Sequence, residues 1–240
     1  MQEKESVIMK TLAMLGGMSY ESTLTYYQVI NEVINQKMGG SHSAKIIMYS
    51  FDYAELESLL EKGEWQRIED RLTEEALKLK ACGADGFLLC ANTMHLVADK
   101  VEKRVGLPLI NIAKETIKEV KAKGIQNVGL LGTMYTMQSD LYDKLAKAEN
   151  ITIVKPSPEQ QMKIHDVIYK ELIVGKMHDQ SRRDLLAIID SLEVDGVILG
   201  CTELPLLIRE KDLDIARFDT LYLHAKKAAL WMLGDEVHDL

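Results

Sequence analysis

The chain has 240 residues, of which 47% are hydrophobic and 28% charged, enough apolar side chains for one large domain or two small ones. Its formal net charge is −8, and no cluster of lysine and arginine with interleaved aromatic residues occurs, so nucleic acid is not expected as a partner. No apolar stretch approaches the roughly 20 residues that a membrane-spanning helix needs, so no membrane partner is expected either.

The chain begins with a polar and acidic segment, residues 1–7, which does not resemble a secretory signal. Its three cysteines are Cys82, Cys90 and Cys201. An odd and low number of cysteines argues against a disulfide framework. Both observations predict reduced thiols and a cytoplasmic location.

Short apolar runs alternate with amphipathic segments along the rest of the chain. The predicted strands span residues 10–15, 44–49, 86–90, 108–112, 127–131, 151–154, 194–199 and 215–218. The predicted helices span residues 20–37, 53–60, 64–81, 94–105, 113–123, 137–147, 159–174, 181–192 and 220–233. The first helix is capped by Ser19 and has Tyr27, Ile30 and Ile34 on its apolar face. The alternation indicates an α/β fold with parallel sheets flanked by helices.

Four of the predicted strands end in similar turns, each small or polar and each opening a helix. These turns are Gly16-Gly17-Met18-Ser19, Cys90-Ala91-Asn92-Thr93, Gly132-Thr133 and Gly200-Cys201-Thr202-Glu203. The second half of the chain therefore resembles a loose repeat of the first, and two such lobes would direct their helix amino ends into one cleft. Helix amino ends bind anions such as carboxylates, so the cleft is the expected ligand site.

Cys201 follows an apolar run that is typical of a buried parallel strand. Thr202 is a good helix cap, and Pro205 is tolerated in a first helical turn. Cys201 is therefore expected between a strand's carboxyl end and a helix's amino end, where unpaired amides favour a thiolate. The alternative is that Cys201 is only a small buried hydrophobic residue.

Three motifs resemble the aspartate/glutamate racemase superfamily, above all its aspartate racemase branch. They are Leu15-Gly16-Gly17-Met18-Ser19, Asn92-Thr93-Met94-His95 and Gly200-Cys201-Thr202-Glu203. The resemblance extends over about residues 10–233. It implies two pseudo-symmetric α/β lobes, residues 1–116 with 213–240 and residues 117–212, with the active site in the cleft between them. It also implies a homodimer that needs neither pyridoxal phosphate nor a metal, and the histidines and cysteines lack the spacing of metal ligands.

The family chemistry explains why these residue types occur at the strand ends. A thiolate removes the α-hydrogen of an amino acid from one face, a thiol delivers a proton to the other, and amides and hydroxyls stabilise the charge that grows on the α-carboxylate. The resemblance implies three catalytic candidates, Cys201, Thr93 and Glu203. It implies eight substrate-binding candidates, Met18, Ser19, Ala91, Asn92, Thr93, Thr133, Lys163 and Thr202. Most of these polar residues are also ordinary helix caps, and Lys163, which resembles a lysine for the distal carboxylate, is also an ordinary surface lysine.

Ala91 is where the chain departs from the family pattern. In the two-cysteine enzymes the residue directly before the Asn-Thr pair is the first cysteine, and here it is Ala91. Cys90 lies one residue earlier, and a one-residue step along a strand turns a side chain to the opposite face. Cys90 is therefore expected to be a buried structural cysteine, which leaves Cys201 as the only thiol in a family position.

We therefore expect cofactor-independent racemisation of an acidic or small polar amino acid, with Cys201 as the main acid/base and a small molecule as the only partner besides a second copy of the chain. One alternative is a decarboxylase or isomerase of a small dicarboxylate, since such an enzyme needs only one protonating thiol. A further alternative is a catalytically degenerate protein that binds a small molecule. Ala91 is compatible with all three.

Overall fold

The computed structural model describes residues 9–234, so the polar segment at residues 1–7 lies outside the described residues. The chain divides into two compact units. Among the described residues, the first unit consists of residues 9–90, Val97–Asn111 and residues 224–234. The second unit consists of Ala91–Leu96 and Ile112–Leu223. The Asn92-Thr93 pair and the Gly200-Cys201 turn therefore belong to the same unit.

The first unit is built on a small parallel sheet. Its strands are β1 (Leu12–Gly16), β2 (Ile46–Ser50) and β3 (Gly86–Leu89), in the order β2-β1-β3. Its helices are α1 (Tyr20–Met38), α2 (Tyr53–Glu61), α3 (Trp65–Ala81) and α4 (Ala98–Val105). The central strand β1 is buried along its whole length, as expected for a parallel sheet covered by helices.

Helix α1 begins where the sequence predicts, but it buries a different tyrosine. Ser19 is the cap, and its Oγ accepts a hydrogen bond from the Ser22 amide at 3.5 Å. Tyr27 is 51% exposed, whereas Tyr26 is fully buried with its hydroxyl 2.8 Å from Nδ1 of His224. The predicted inward position of Tyr27 is therefore wrong, because the buried hydroxyl needs a partner that lies 198 residues away in the sequence.

The second unit contains a parallel sheet of four strands. The strands are β4 (Asn127–Gly132), β5 (Thr152–Val154), β6 (Gly196–Gly200) and β7 (Ala216–Asp219), in the order β5-β4-β6-β7. The helices are α5 (Ile112–Ala122), α6 (Met134–Gln138), α7 (Leu141–Ala148), α8 (Pro158–Lys170), α9 (Asp179–Ser191) and α10 (Leu204–Leu207). The last helix, α11 (Thr220–Met232), starts in this unit and continues into the residues of the first.

Both faces of the four-stranded sheet are covered. Leu131, Val197 and Leu199 pack with apolar residues of α8, α9 and α10. Val128, Ile198 and Phe218 pack with apolar residues of α5 and α7. Because neighbouring residues of a strand point to opposite faces, two buried faces require continuous apolar runs, as the sequence has. The expected α/β fold with parallel sheets flanked by helices is confirmed.

Besides shifts of a few residues at element ends, three predicted elements have a different form in the structure. Residues 108–112 do not form a strand, because Pro108 has no N–H and α5 begins at Ile112, which leaves a single bridge between Leu109 and Phe87. The helix predicted over 137–147 is two helices, α6 and α7, separated at Ser139, whose backbone is extended. The helix predicted from Met94 starts as a 3₁₀ turn, Thr93–Val97, before α4.

The boundary between the units also differs from the predicted lobes. Residues 213–223 were expected in the first lobe, but β7 pairs with β6 and these residues belong to the second unit. Ala91–Leu96 likewise belong to the second unit. Residues 224–234 belong to the first unit. No helix within residues 9–234 is long and apolar enough to cross a membrane.

Replacing Gly17 by alanine is expected to destabilise the protein by about 3 kcal/mol or more, since positive φ and overpacking each cost about 1–3 kcal/mol. Gly17 has a φ of +85°, and a Cβ there would lie 2.3 Å from the carbonyl oxygen of Phe51. Gly40 is a matched control, because its φ is +59° and a Cβ would meet nothing within 4 Å. Chemical denaturation should show a loss of only about 1 kcal/mol for Gly40→Ala. Equal losses in the two variants would contradict the steric argument.

Candidate active site

Two glycines bring the ends of β4 and β6 close together. Gly132 and Gly200 are partners in the strand register. A Cβ on Gly132 would lie 2.8 Å from the Gly200 carbonyl oxygen, and one on Gly200 would lie 2.9 Å from the Leu131 carbonyl oxygen. Backbone this close leaves no room for side chains. The next residues, Thr133 and Cys201, therefore follow paired positions at the carboxyl edge of the sheet, where ligands bind in open α/β sheets.

Cys201, Thr202 and Glu203 form a buried hydrogen-bonded group. The exposed fractions of the three residues are 7%, 7% and 4%. Oε2 of Glu203 accepts from the Cys201 thiol at 3.1 Å and from the Thr202 hydroxyl at 2.7 Å. One carboxylate oxygen thus orients both the thiol and the hydroxyl.

The environment of Cys201 favours the thiol and not the thiolate. Burial raises the pKa of Cys201 well above its ordinary value, and the negative charge of Glu203 raises this pKa further. The amides of Glu203 and Leu204 lower the pKa, as the sequence predicts, but they are outweighed. Burial and the Glu203 charge therefore oppose the amides, which alone were expected to favour a thiolate.

Thr202 does not cap a helix, contrary to the sequence prediction. Helix α10 begins at Leu204 with Glu203 in the cap position, and it is only four residues long. The Thr202 hydroxyl donates to the Glu203 carboxylate, since a charged acceptor makes a stronger hydrogen bond than a backbone group.

A second polar group consists of three buried hydroxyls. Oγ1 of Thr93 lies 3.1 Å from Oγ1 of Thr133 and 3.5 Å from Oγ1 of Thr136. Thr133 also caps α6 by accepting from the Thr136 amide at 3.3 Å. Two predicted site residues, Thr93 and Thr133, are therefore brought together, although they are 40 residues apart in the sequence. Thr136 was not predicted, because in the sequence it is one of several residues of a short helix.

Asn92 is held by residues that the sequence analysis missed. Its Oδ1 accepts from the Tyr142 hydroxyl at 2.6 Å, and its Nδ2 donates to Oγ1 of Thr220 at 3.0 Å. Thr220 in turn donates to the Leu199 carbonyl oxygen at 2.8 Å. Tyr142 sits in an amphipathic pattern and Thr220 at a helix start, so neither carries a recognisable sequence signal.

Ala91 is buried, and its carbonyl oxygen accepts from Nδ1 of His95 at 2.9 Å. The Ile112 amide donates to Nε2 of the same ring at 3.2 Å. These contacts require a neutral imidazole with the proton on Nδ1. The His95 ring thereby holds the turn after Ala91 in place.

Cys90 is fully buried, as predicted, and burial raises the pKa of its thiol. Cys82 is exposed.

The remaining predicted residues lie elsewhere. Met18 and Ser19 are buried residues of the first unit, where Ser19 caps α1. Lys163 on α8 is half exposed, and its Nζ forms an ion pair with Oδ2 of Asp184 at 2.8 Å. The partner of its Nζ is thus a residue of α9 and not of the Cys201 turn. Within residues 9–234 no group of three or more His, Cys, Asp or Glu side chains is arranged to hold a metal ion.

Comparison with known proteins identifies the family. The model of the Asp/Glu/hydantoin racemase family matches residues 15–228. The chain belongs to the Asp/Glu/hydantoin racemase family. The resemblance found in the sequence motifs is thereby confirmed, and with it the expectation of an isomerase family that acts on amino acids.

Three relatives of this family member cover nearly its whole length. The broad specificity amino-acid racemase RacX of Bacillus subtilis (strain 168) is 24% identical, over 90% of this chain and 95% of RacX. The crystal structure of a candidate Asp/Glu racemase from Yersinia pestis is 42% identical, with a TM-score of 0.87 over 94% of this chain and 100% of that one. The structure of PH1733, an aspartate racemase homologue from Pyrococcus horikoshii OT3, is 31% identical, with a TM-score of 0.80 over 95% and 100%. Matches to curated glutamate racemases span about half of those chains.

Proposed function

We propose that this racemase family member catalyses cofactor-independent racemisation of an acidic or small polar amino acid, with Cys201 as the main acid/base at the α-carbon. The observation that carries the proposal is the buried Cys201 thiol at the carboxyl edge of β6, oriented by the Glu203 carboxylate at 3.1 Å. The names of the relatives, a broad specificity amino-acid racemase and an aspartate racemase homologue, support this substrate class. The expected homodimer stays a prediction.

The proton steps follow from ordinary acid–base chemistry. The Cys201 sulfur, as a thiolate, takes the α-hydrogen as a proton, and the electron pair of the broken C–H bond passes towards the α-carboxylate. A proton delivered to the opposite face forms the new C–H bond, and the thiol then loses its proton to solvent. The ammonium group of a bound amino acid would bring a positive charge near the sulfur, which lowers the pKa of Cys201 when substrate is present.

Thr93 is the proposed source of the second proton, because Ala91 has no ionisable group. The Thr93 hydroxyl is 3.1 Å from that of Thr133, so Thr133 can replace the proton that Thr93 loses, and the pair then regains one proton from solvent, which has received the proton of Cys201. A hydroxyl is a much weaker acid than a thiol, and delivery from this side is therefore slow. Removal of the α-hydrogen should then run ahead of inversion.

A decarboxylase remains the second candidate, and Ala91 is the observation that favours it. One protonated thiol, as burial makes Cys201, is enough to protonate a carbanion left by loss of carbon dioxide. The test is a screen of free L- and D-amino acids and small dicarboxylates, followed by chiral chromatography and by carbon dioxide release. Appearance of the opposite enantiomer supports the racemase, and release of carbon dioxide supports the decarboxylase. The absence of both products supports a protein that only binds its ligand.

Glu203→Gln should move the rise of kcat/KM with pH to lower pH. The thiolate is the active base, so kcat/KM increases with pH up to the pKa of Cys201 in the free enzyme. The Glu203 charge raises that pKa, so its removal lowers the pKa while the glutamine oxygen still accepts from the thiol. The measurement is a pH profile of both proteins between pH 6 and 10. A loss of activity at every pH would instead mean that Glu203 itself accepts the thiol proton.

Lys163 remains the proposed contact for a distal carboxylate, and a ligand would then replace Asp184 as the partner of its Nζ. Dicarboxylates should raise the melting temperature of the protein, because they bind the native state and not the unfolded chain. Lys163→Ala should reduce this shift for aspartate more than for alanine. Lys170→Ala is the matched control, since Lys170 lies on the same helix in a similar ion pair with Asp166. Equal effects of the two substitutions would remove Lys163 from the site.

A further inference from the structure

We infer that Tyr142 and Thr220 are positioning residues, which fix the orientation of the Asn92 side chain and so hold Thr93 in place relative to the turn after β6 that bears Cys201. The inference rests on the proposed function for its kinetic consequences only. The contacts that carry it all lie within the second unit.

The direction of each hydrogen bond follows from a single acceptor. The Leu199 carbonyl oxygen can only accept, so the Thr220 hydroxyl donates its one proton to it at 2.8 Å. Toward Asn92, Thr220 can then only accept, and the amide must present its NH₂ group to Thr220 at 3.0 Å. The Asn92 oxygen consequently faces the Tyr142 hydroxyl, which donates at 2.6 Å. The carbonyl of Leu199 on β6 thus determines, through Thr220, the orientation of the Asn92 amide.

The surroundings make this orientation hard to change. Tyr142 and Thr220 are fully buried and Asn92 is 4% exposed, so a rotated amide would place its oxygen against the Thr220 oxygen, an acceptor facing an acceptor, without water to relieve it. Burial raises the pKa of Tyr142, which keeps its phenol protonated and able to donate. The Tyr142 ring is also fixed by apolar neighbours from β4, β6 and α5.

The chain of contacts ends close to the proposed chemistry at both sides. Leu199 lies on β6, which ends at Gly200, directly before Cys201. Asn92 precedes Thr93, whose hydroxyl contacts Thr133 at the end of β4. A change in the Asn92 amide therefore displaces the proposed second proton donor relative to Cys201. Tyr142 and Thr220 contact Asn92 and not the reacting atoms, so they act through it.

The test compares Thr220→Val, Thr220→Ser and Tyr142→Phe with the wild type by two independent readouts. The first is the ¹H–¹⁵N signal of the Asn92 side-chain NH₂, whose exchange with water should be slow in the wild type and in Thr220→Ser. The exchange should become at least about tenfold faster in Thr220→Val, because the acceptor is lost. Unchanged exchange in Thr220→Val would overturn the inference. Tyr142→Phe keeps the inference testable if the valine variant does not fold, since it removes only the hydroxyl, and it too should speed the exchange.

The second readout is racemisation by the same proteins. Thr220→Val and Tyr142→Phe should each lower kcat on the order of tenfold with little change in KM, and Thr220→Ser should restore most of it. The double variant should be no slower than the slower single variant, because both act through one amide. Additive losses, or no rescue by serine, would overturn the inference. A wild type without any racemisation would defeat the proposed function, while the NMR readout would still decide the positioning role.

Discussion

Replacing Cys201 by serine should lower the rate of racemisation by about 10²–10⁴-fold, the range typical of losing a general acid/base. Serine is close to cysteine in size, and its hydroxyl can still donate to Glu203, so the fold and the hydrogen bond are retained. The hydroxyl is nevertheless far too weak an acid to form the anion that would remove the α-proton. The measurement is racemisation by chiral chromatography together with circular dichroism and thermal melting of the same samples.

Cys82→Ser is the matched control for this substitution. Cys82 is exposed at the end of α3 and belongs to the first unit, so this variant should keep full activity. Retention of most activity in Cys201→Ser with a normal spectrum would contradict the role given to Cys201. Loss of activity in both variants would indicate a general effect of replacing a cysteine and not a specific role of Cys201.

Replacing Ala91 by cysteine should raise inversion relative to α-hydrogen exchange, by up to about 10²-fold. The new thiol stands next to Asn92 and Thr93 and supplies the acid that the wild type lacks on that face. The carbonyl of residue 91 keeps its hydrogen bond from His95, so the turn is preserved. The measurement is the ratio of racemisation to solvent deuterium incorporation in the wild type and the variant.

Ala91→Ser separates the effect of the thiol from that of added bulk. Serine is similar in size but not acidic enough, so the ratio should stay near the wild-type value. A wild-type ratio that is already close to one, and that the cysteine does not change, would show that another residue is an efficient second acid. The interpretation of Ala91 as a deficit would then be wrong.

The regular part of the fold was predictable because burial on both sheet faces leaves continuous apolar runs. β4 and β6 are such runs, and each ends in a glycine that the close backbone approach requires. Residues 108–112 are also apolar, but they begin with a proline and are followed directly by a helix. Their pairing with β3 is therefore limited to the bridge between Leu109 and Phe87. The choice between Tyr26 and Tyr27 depended on His224, which no local pattern indicates.

The candidate site was predictable where a residue's role follows from its neighbours in sequence. Cys201 and Glu203 are both predicted catalytic candidates, and they lie two residues apart and in contact. The pKa of Cys201 could not be predicted, because it depends on how deeply the fold buries the turn. Tyr142 and Thr220 could not be found either, since their contact with Asn92 joins segments 50 and 128 residues apart.

The incorporation of solvent deuterium at the α-carbon is the most direct measurement of proton transfer by Cys201. The enzyme is incubated in ²H₂O with the amino acid found in the substrate screen, and the α-proton signal is followed by NMR for the wild type and Cys201→Ser. We expect the wild type to replace the α-proton by deuterium faster than it inverts the centre, and Cys201→Ser to do neither. Inversion with the original α-proton retained, or undiminished exchange in Cys201→Ser, would contradict proton transfer by Cys201.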